Sequence, residues 1–283
     1  MQWWCSAQGV PWTWSWQAFP GVWIFILLLV LGYRRLWRIE RGGDQAPTEG
    51  TGNRIAAFVT GIIFLWLALD WPIGVLGAGY LVSAHMVQFL LLALIAPPFL
   101  IYSIPPQAME RLEERVRARR VLSVLTHPLI ALVIFNATII ITHIPIVTDT
   151  AMESQIGSLI IDLAWIIAAF VFWWPVVAPV PERRWMHPLL KVGYIAAQLI
   201  LGKPVFVYLT FSEYPVYAVY ELAPRVHGIG AAEDQQFAGL LMEVAGALIL
   251  FVAAAVLFLQ WGKREEKSSV RLDTKVPEVE APV

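Results

Sequence analysis

Seven long apolar stretches, at about residues 18–33, 55–77, 79–104, 121–143, 157–178, 188–210 and 234–261, dominate the chain. The hydrocarbon core of a bilayer, roughly 30 Å thick, is crossed by about 20 residues of helix, and each stretch reaches or approaches that length. Inside hydrocarbon a backbone must satisfy its own N–H and C=O groups, and continuous apolar runs of this length do so as helices. The expected fold is therefore all-α, a polytopic transmembrane bundle of about seven spans occupying residues 1–261. With 58% hydrophobic and 14% charged residues, the chain has too little charge to clothe a water-soluble globule of its length. Residues 262–283, rich in Lys, Glu and Ser, read as a disordered cytoplasmic tail.

Charge placement sets an expected orientation. The 34–54 loop holds Arg34, Arg35, Arg38, Arg41 and Arg54. The 105–120 loop holds Arg111, Arg115, Arg117, Arg119 and Arg120, and residues 179–191 add Arg183, Arg184 and Lys191. The alternate loops carry Arg225 alone. Positive-inside bias then puts the N-terminus outside and the C-terminus in the cytoplasm, which requires an odd number of spans. With a formal net charge of −1 and its basic residues confined to one side, the chain is not expected to bind nucleic acid; its surroundings are the lipid bilayer. The single cysteine, Cys5, excludes thiolate-pair metal motifs within the chain. The N-terminal segment lacks a basic n-region and does not read as a signal peptide; Trp3, Trp4, Trp12, Trp14 and Trp16 suit an interfacial aromatic belt.

Polar side chains at membrane depth are costly, so each is a candidate site. His85 and Met86 fall roughly 9–10 Å inside the outer end of the third span at 1.5 Å per residue. His143 ends the fourth span on that side, Asp162 begins the fifth, Asp70 closes the second, and Asp234 opens the seventh with Met242 on the same helix face. His127 and His187 lie near the opposite ends. Imidazole and carboxylate suit a borderline divalent ion and thioethers favour copper(I), so His85, His143, Asp234, Met86 and Met242 form a candidate copper site near the outer face. Packing, capping of the seventh span by Asp234, or hydrogen bonds between helices account for the same residues without a metal. Lys203 is a partner for Asp162 or Glu243, and Gly239 permits close helix approach. Pro97, Pro98, Pro175 and Pro204 should kink or break their helices.

Four segments, Ala84-His85-Met86-Val87-Gln88-Phe89 with Ala96-Pro97-Pro98, Thr142-His143-Ile144-Pro145, Phe172-Trp173-Trp174-Pro175, and Asp234-Gln235-Gln236-Phe237-Ala238-Gly239-Leu240-Leu241-Met242, resemble the CtaG family of cytochrome c oxidase assembly factors. Phe89 and Asp162 stand where that family usually has histidines, and Glu243 where it tends to have an aromatic residue. The resemblance implies a non-enzymatic assembly factor of the bacterial plasma membrane that delivers or stabilises copper at the outer face during heme-copper oxidase maturation. Oxidase subunits or another respiratory complex are then its partners. The alternatives are an accessory subunit whose polar cluster only joins helices, and a transporter. No inverted repeat and no nucleophile–base spacing supports transport or catalysis.

Overall fold

Prolines and glycines decide where the apolar stretches divide. The computed structural model describes residues 2–41, 50–106, 108, 121, 123–178, 186–226 and 228–273, and the regular elements among them are helical. In order these are α1 (Pro20–Arg41), α2 (Thr51–Leu69), α3 (Ile73–Gly79), α4 (Val82–Phe89), a π-helical turn (Leu90–Ile95) and α5 (Ala96–Ser103). There follow α6 (Pro128–Thr142), α7 (Pro145–Met152), α8 (Gln155–Val177), α9 (Pro188–Leu201), α10 (Lys203–Phe211), α11 (Ala218–Glu221) and α12 (Ala231–Asp273). Six helical stretches are long and apolar enough to cross a membrane, and α6 with α7, bent by 71°, makes a seventh if the pair counts as one span. Arg111, Arg115, Arg117, Arg119, Arg120, Arg183, Arg184 and His227 lie outside the described residues.

The continuous span of α4, the π turn and α5 is the centre of the bundle. Of its most apolar stretch 67% is buried, against 17% for α1 and for α12. The π turn ends where the helix meets Pro97 and Pro98, neither of which has an N–H to donate. The Ala96 N–H reaches back to the Leu91 carbonyl, and the Ala93 carbonyl, which Pro97 would have used in α-helical register, accepts from Trp173 Nε1 at 3.0 Å. The expected disruption is thus a local widening whose freed acceptor is taken up by α8. Pro204 divides the sixth span at Gly202. Pro175 does not break α8, which runs on through it to Val177, so the expected kink ends no element before the helix itself stops at Ala178.

The first span begins near its expected position but its helix runs on to Arg41, and the second expected stretch, 55–77, divides: α2 stops at Leu69, and Asp70, Trp71 and Pro72 turn the chain into the short α3 before Val82 starts α4 close to where the third stretch was expected. The last helix also departs from expectation. Residues 262–273 continue α12 instead of opening a disordered tail, while 274–283 lie outside the described residues. Extending a formed helix needs no new nucleus, and Gln260, Lys263, Arg264, Glu265 and Glu266 are good helix formers. Gly239 is where α12 meets α10, since a Cβ there would lie 3.0 Å from the Thr210 N.

Candidate functional site

The end of the bundle that carries the N-terminal segment is closed by α3, α7, α11 and residues 2–19, and the two candidate histidines lie beneath them. His85 is on α4, one turn in from the extended Leu81 that starts the helix. His143 is the residue after α6, at the 71° bend into α7. Pro145 produces that bend, because it cannot continue the hydrogen-bond ladder of α6 and is well suited to the first turn of α7. Their rings come to 6.4 Å between centres. Trp165 of α8 packs 4.9 Å from His85 and 6.0 Å from His143, and is held by a 2.8 Å bond from its Nε1 to the Thr142 hydroxyl. Phe89 meets His143 edge-on at 5.8 Å, and Tyr220 stands 5.9 Å from His85.

Hydrogen bonding within this aromatic pocket is incomplete. Both histidines are buried. His143 Nδ1 lies 2.7 Å from the Ile139 carbonyl, so this nitrogen carries the proton and Nε2 presents its lone pair. Among the described residues, His143 Nε2 and both nitrogens of His85 have no hydrogen-bond partner. Tyr220 does not supply one, since its hydroxyl donates to the Gly77 carbonyl. Buried polar atoms are bonded in the great majority of cases, so three orphans in one pocket mark a place where another group can bind.

Asp162 belongs to the wall of the pocket. Its carboxylate accepts from Trp4 Nε1 at 2.8 Å and from Gln88 Nε2 at 2.9 Å. Trp4 is therefore not part of an interfacial belt: it is 2% exposed and ties the N-terminal segment to α8, whereas Trp14 and Trp16 stay exposed. Gln155 holds the same segment by accepting from the Trp3 and Trp4 amides, and the Ala7 amide donates to the Met152 carbonyl. Burial pushes the Cys5 thiol well above its usual range, and it donates to the Leu69 carbonyl. The sequence does not single out Trp165 or Tyr220, and it marks neither Trp4 nor Gln88 as a donor to Asp162; apolar character conceals a tryptophan's one donor.

The other candidate ligands are placed differently. Asp234 is buried and accepts from the amide and hydroxyl of Ser83, fastening α12 to the start of α4. Met86 is fully buried in the core. Met242 lines a cavity of ≈ 50 Å³ with Phe89, Ile139, Gln198 and Glu243. Asp70 is engaged by the indoles of Trp23 and Trp66. His127 and His187 sit at the first turns of α6 and α9, at the far ends of those helices. Among the described residues there is no group of three or more His, Cys, Asp or Glu that could hold a metal, so the pocket offers a histidine pair.

A bundle of six or seven apolar spans with an imidazole pair buried at one end defines a multi-pass membrane protein. The family model described as cytochrome c oxidase caa3 assembly factor (Caa3_CtaG) matches residues 27–264, which include His85, His143 and the other segments of the resemblance, and the chain belongs to that family. It is also similar to an uncharacterized protein of Mycobacterium leprae (strain TN), 20% identical over 265 residues. That alignment covers 87% of this chain but 39% of the relative. No solved structure matches the chain.

Proposed function

We propose that this protein assists the maturation of a heme-copper oxidase, of the caa3 type after which its family is described, by holding a copper ion between His85 and His143. One observation carries this reading: three unpartnered imidazole nitrogens in a buried pocket, on rings 6.4 Å apart. With metal–nitrogen bonds of about 2.0–2.1 Å, two imidazoles sharing one ion have ring centres roughly 6 Å apart. The Ile139 carbonyl fixes the His143 tautomer that leaves Nε2 free to bind. Phe89, Trp165 and Tyr220 exclude water, and in so apolar a pocket a singly charged copper(I) on neutral ligands is less costly than a divalent ion. Copper is here the cargo. Met86 and Met242, one beside His85 in sequence and one on the cavity against Phe89, are auxiliary thioethers for its arrival or departure, and Asp234 positions α4 through Ser83. The lack of Lys and Arg in the N-terminal segment supports placing this end at the outer face of the bacterial plasma membrane.

Copper analysis of the detergent-purified protein beside the double variant His85→Ala, His143→Ala tests this. The native chain retains copper and the variant loses it; equal copper in both would sink the ligand assignment. Deleting the protein should abolish oxidase activity in cells. The second reading, a structural accessory subunit without a metal, draws on Asp162 and Asp234, which both serve to join helices. Metal-free co-purification with a respiratory complex at fixed stoichiometry would favour it.

A further inference from the structure

Lys203 and Glu243 are ion-paired across α10 and α12. Lys203 lies roughly 22 Å along the span from Pro188 and roughly 12 Å from Phe211, and Glu243 roughly 18 Å from Ala231, so the pair sits well inside the bilayer. It is not covered by the rest of the chain: the two side chains are 48% and 25% exposed, on a surface otherwise made of residues such as Ile200, Val207, Leu240 and Val244. Hydrocarbon offers no partner to the ammonium protons and carboxylate lone pairs that the pair leaves over, and Lys203 is too far from either end of its span to reach water. Behind the pair lies the ≈ 50 Å³ cavity lined by Gln198, Gly202, Met242, Phe89 and Ile139. Its inner wall is also the wall of the histidine pocket, because Phe89 packs on His143 and Ile139 accepts the His143 proton.

We infer that the α9–α10 and α12 face around Lys203–Glu243 docks a transmembrane helix of the client, one that brings a hydroxyl, amide or carboxyl side chain to the ion pair. Charge complementarity identifies this occupant: a polar group on an otherwise apolar helix completes the pair, and a lipid tail cannot. The cavity explains the location, since the docked helix then faces the back of the copper-binding pocket. This inference rests on the oxidase-assembly reading and names the surface through which that role is exercised.

A photo-reactive amino acid at Val207 or Leu240, in membranes of cells assembling the oxidase, reports the occupant by mass spectrometry of the cross-linked peptide. The expected product joins this chain to a transmembrane segment of an oxidase subunit, and does not form from Leu129 or Val133 on α6. The double variant Lys203→Leu, Glu243→Leu should lose the product while keeping native copper content and helicity, because an apolar replacement of a whole ion pair is commonly tolerated. Cross-linking to a second copy or to lipid alone, or equal yield from the α6 positions, overturns the proposal. So does undiminished cross-linking in the folded double variant; if that variant does not fold, the positional pattern in the native chain decides. Normal oxidase in cells lacking the protein defeats the assembly reading itself. Normal oxidase in the folded double variant, with loss in the deletion, defeats only the docking face.

Discussion

His85 and His143 stand with ring centres 6.4 Å apart although they arise from different helices, and Phe89, one turn after His85, packs edge-on against His143 at 5.8 Å. Phe89 therefore projects into the same pocket as the imidazole pair. It is the residue that replaces a second histidine in the motif this chain otherwise resembles.

Replacing Phe89 with histidine should add a third donor to the pair. The Phe89→His chain is expected to retain copper(I) against a competing chelator more strongly, by on the order of tenfold or more, the scale on which well-placed ligand-shell changes act. Unchanged or weaker retention in a folded variant would show that the pair does not hold the ion.

Trp4→Phe should cost about 1–3 kcal/mol, because the buried Asp162 carboxylate keeps Gln88 and loses its indole donor. Thermal unfolding in detergent measures the loss. Limited proteolysis should also cut residues 2–19 faster than in the native chain, since one of the segment's ties to α8 is gone and the Gln155 bonds to the Trp3 and Trp4 positions remain there; equal cutting rates would contradict the indole's role as an anchor.

Trp173→Phe should destabilise the native chain by a similar amount, about 1–3 kcal/mol, by leaving the Ala93 carbonyl without its donor. In a Pro97→Ala background the new N–H competes for that carbonyl, so the same change should cost less. The two substitutions are then coupled, and strict additivity in a double-mutant cycle would show that the proline does not create the acceptor Trp173 uses.

Orientation is checked with single cysteines in a Cys5→Ser background. A membrane-impermeant maleimide added to intact cells should label Glu213→Cys, an exposed residue between α10 and α11, and spare Lys263→Cys until the cells are opened. The reverse pattern would place the histidine end in the cytoplasm and remove the outer-face reading.

Much of the fold was legible because a bilayer imposes one length scale: apolar runs of the right size became helices, and proline placement anticipated the irregularity at Pro97-Pro98 and at Pro204. Depth, counted at a fixed rise per residue, brought His85 and His143 to one end and sent His127 and His187 to the other. Azimuth was harder to read. The same depth zone holds Asp70, Asp162 and Asp234, yet their carboxylates are taken up by Trp23 and Trp66, by Trp4 and Gln88, and by Ser83. Those donors come mostly from distant parts of the chain, and nothing local announces them.

By itself, then, the sequence determined the class of fold, the approximate spans and the depth of each polar residue, because hydropathy and helix rise are local properties. Only the tertiary structure decided which polar groups satisfy one another, that Trp4 is a buried donor, that α12 extends to Asp273, and that His85 and His143 keep unpartnered nitrogens side by side. The rotation of each helix about its axis, and the bend after His143, are set by packing between segments far apart in sequence, and that packing separates a saturated carboxylate from an open imidazole pair.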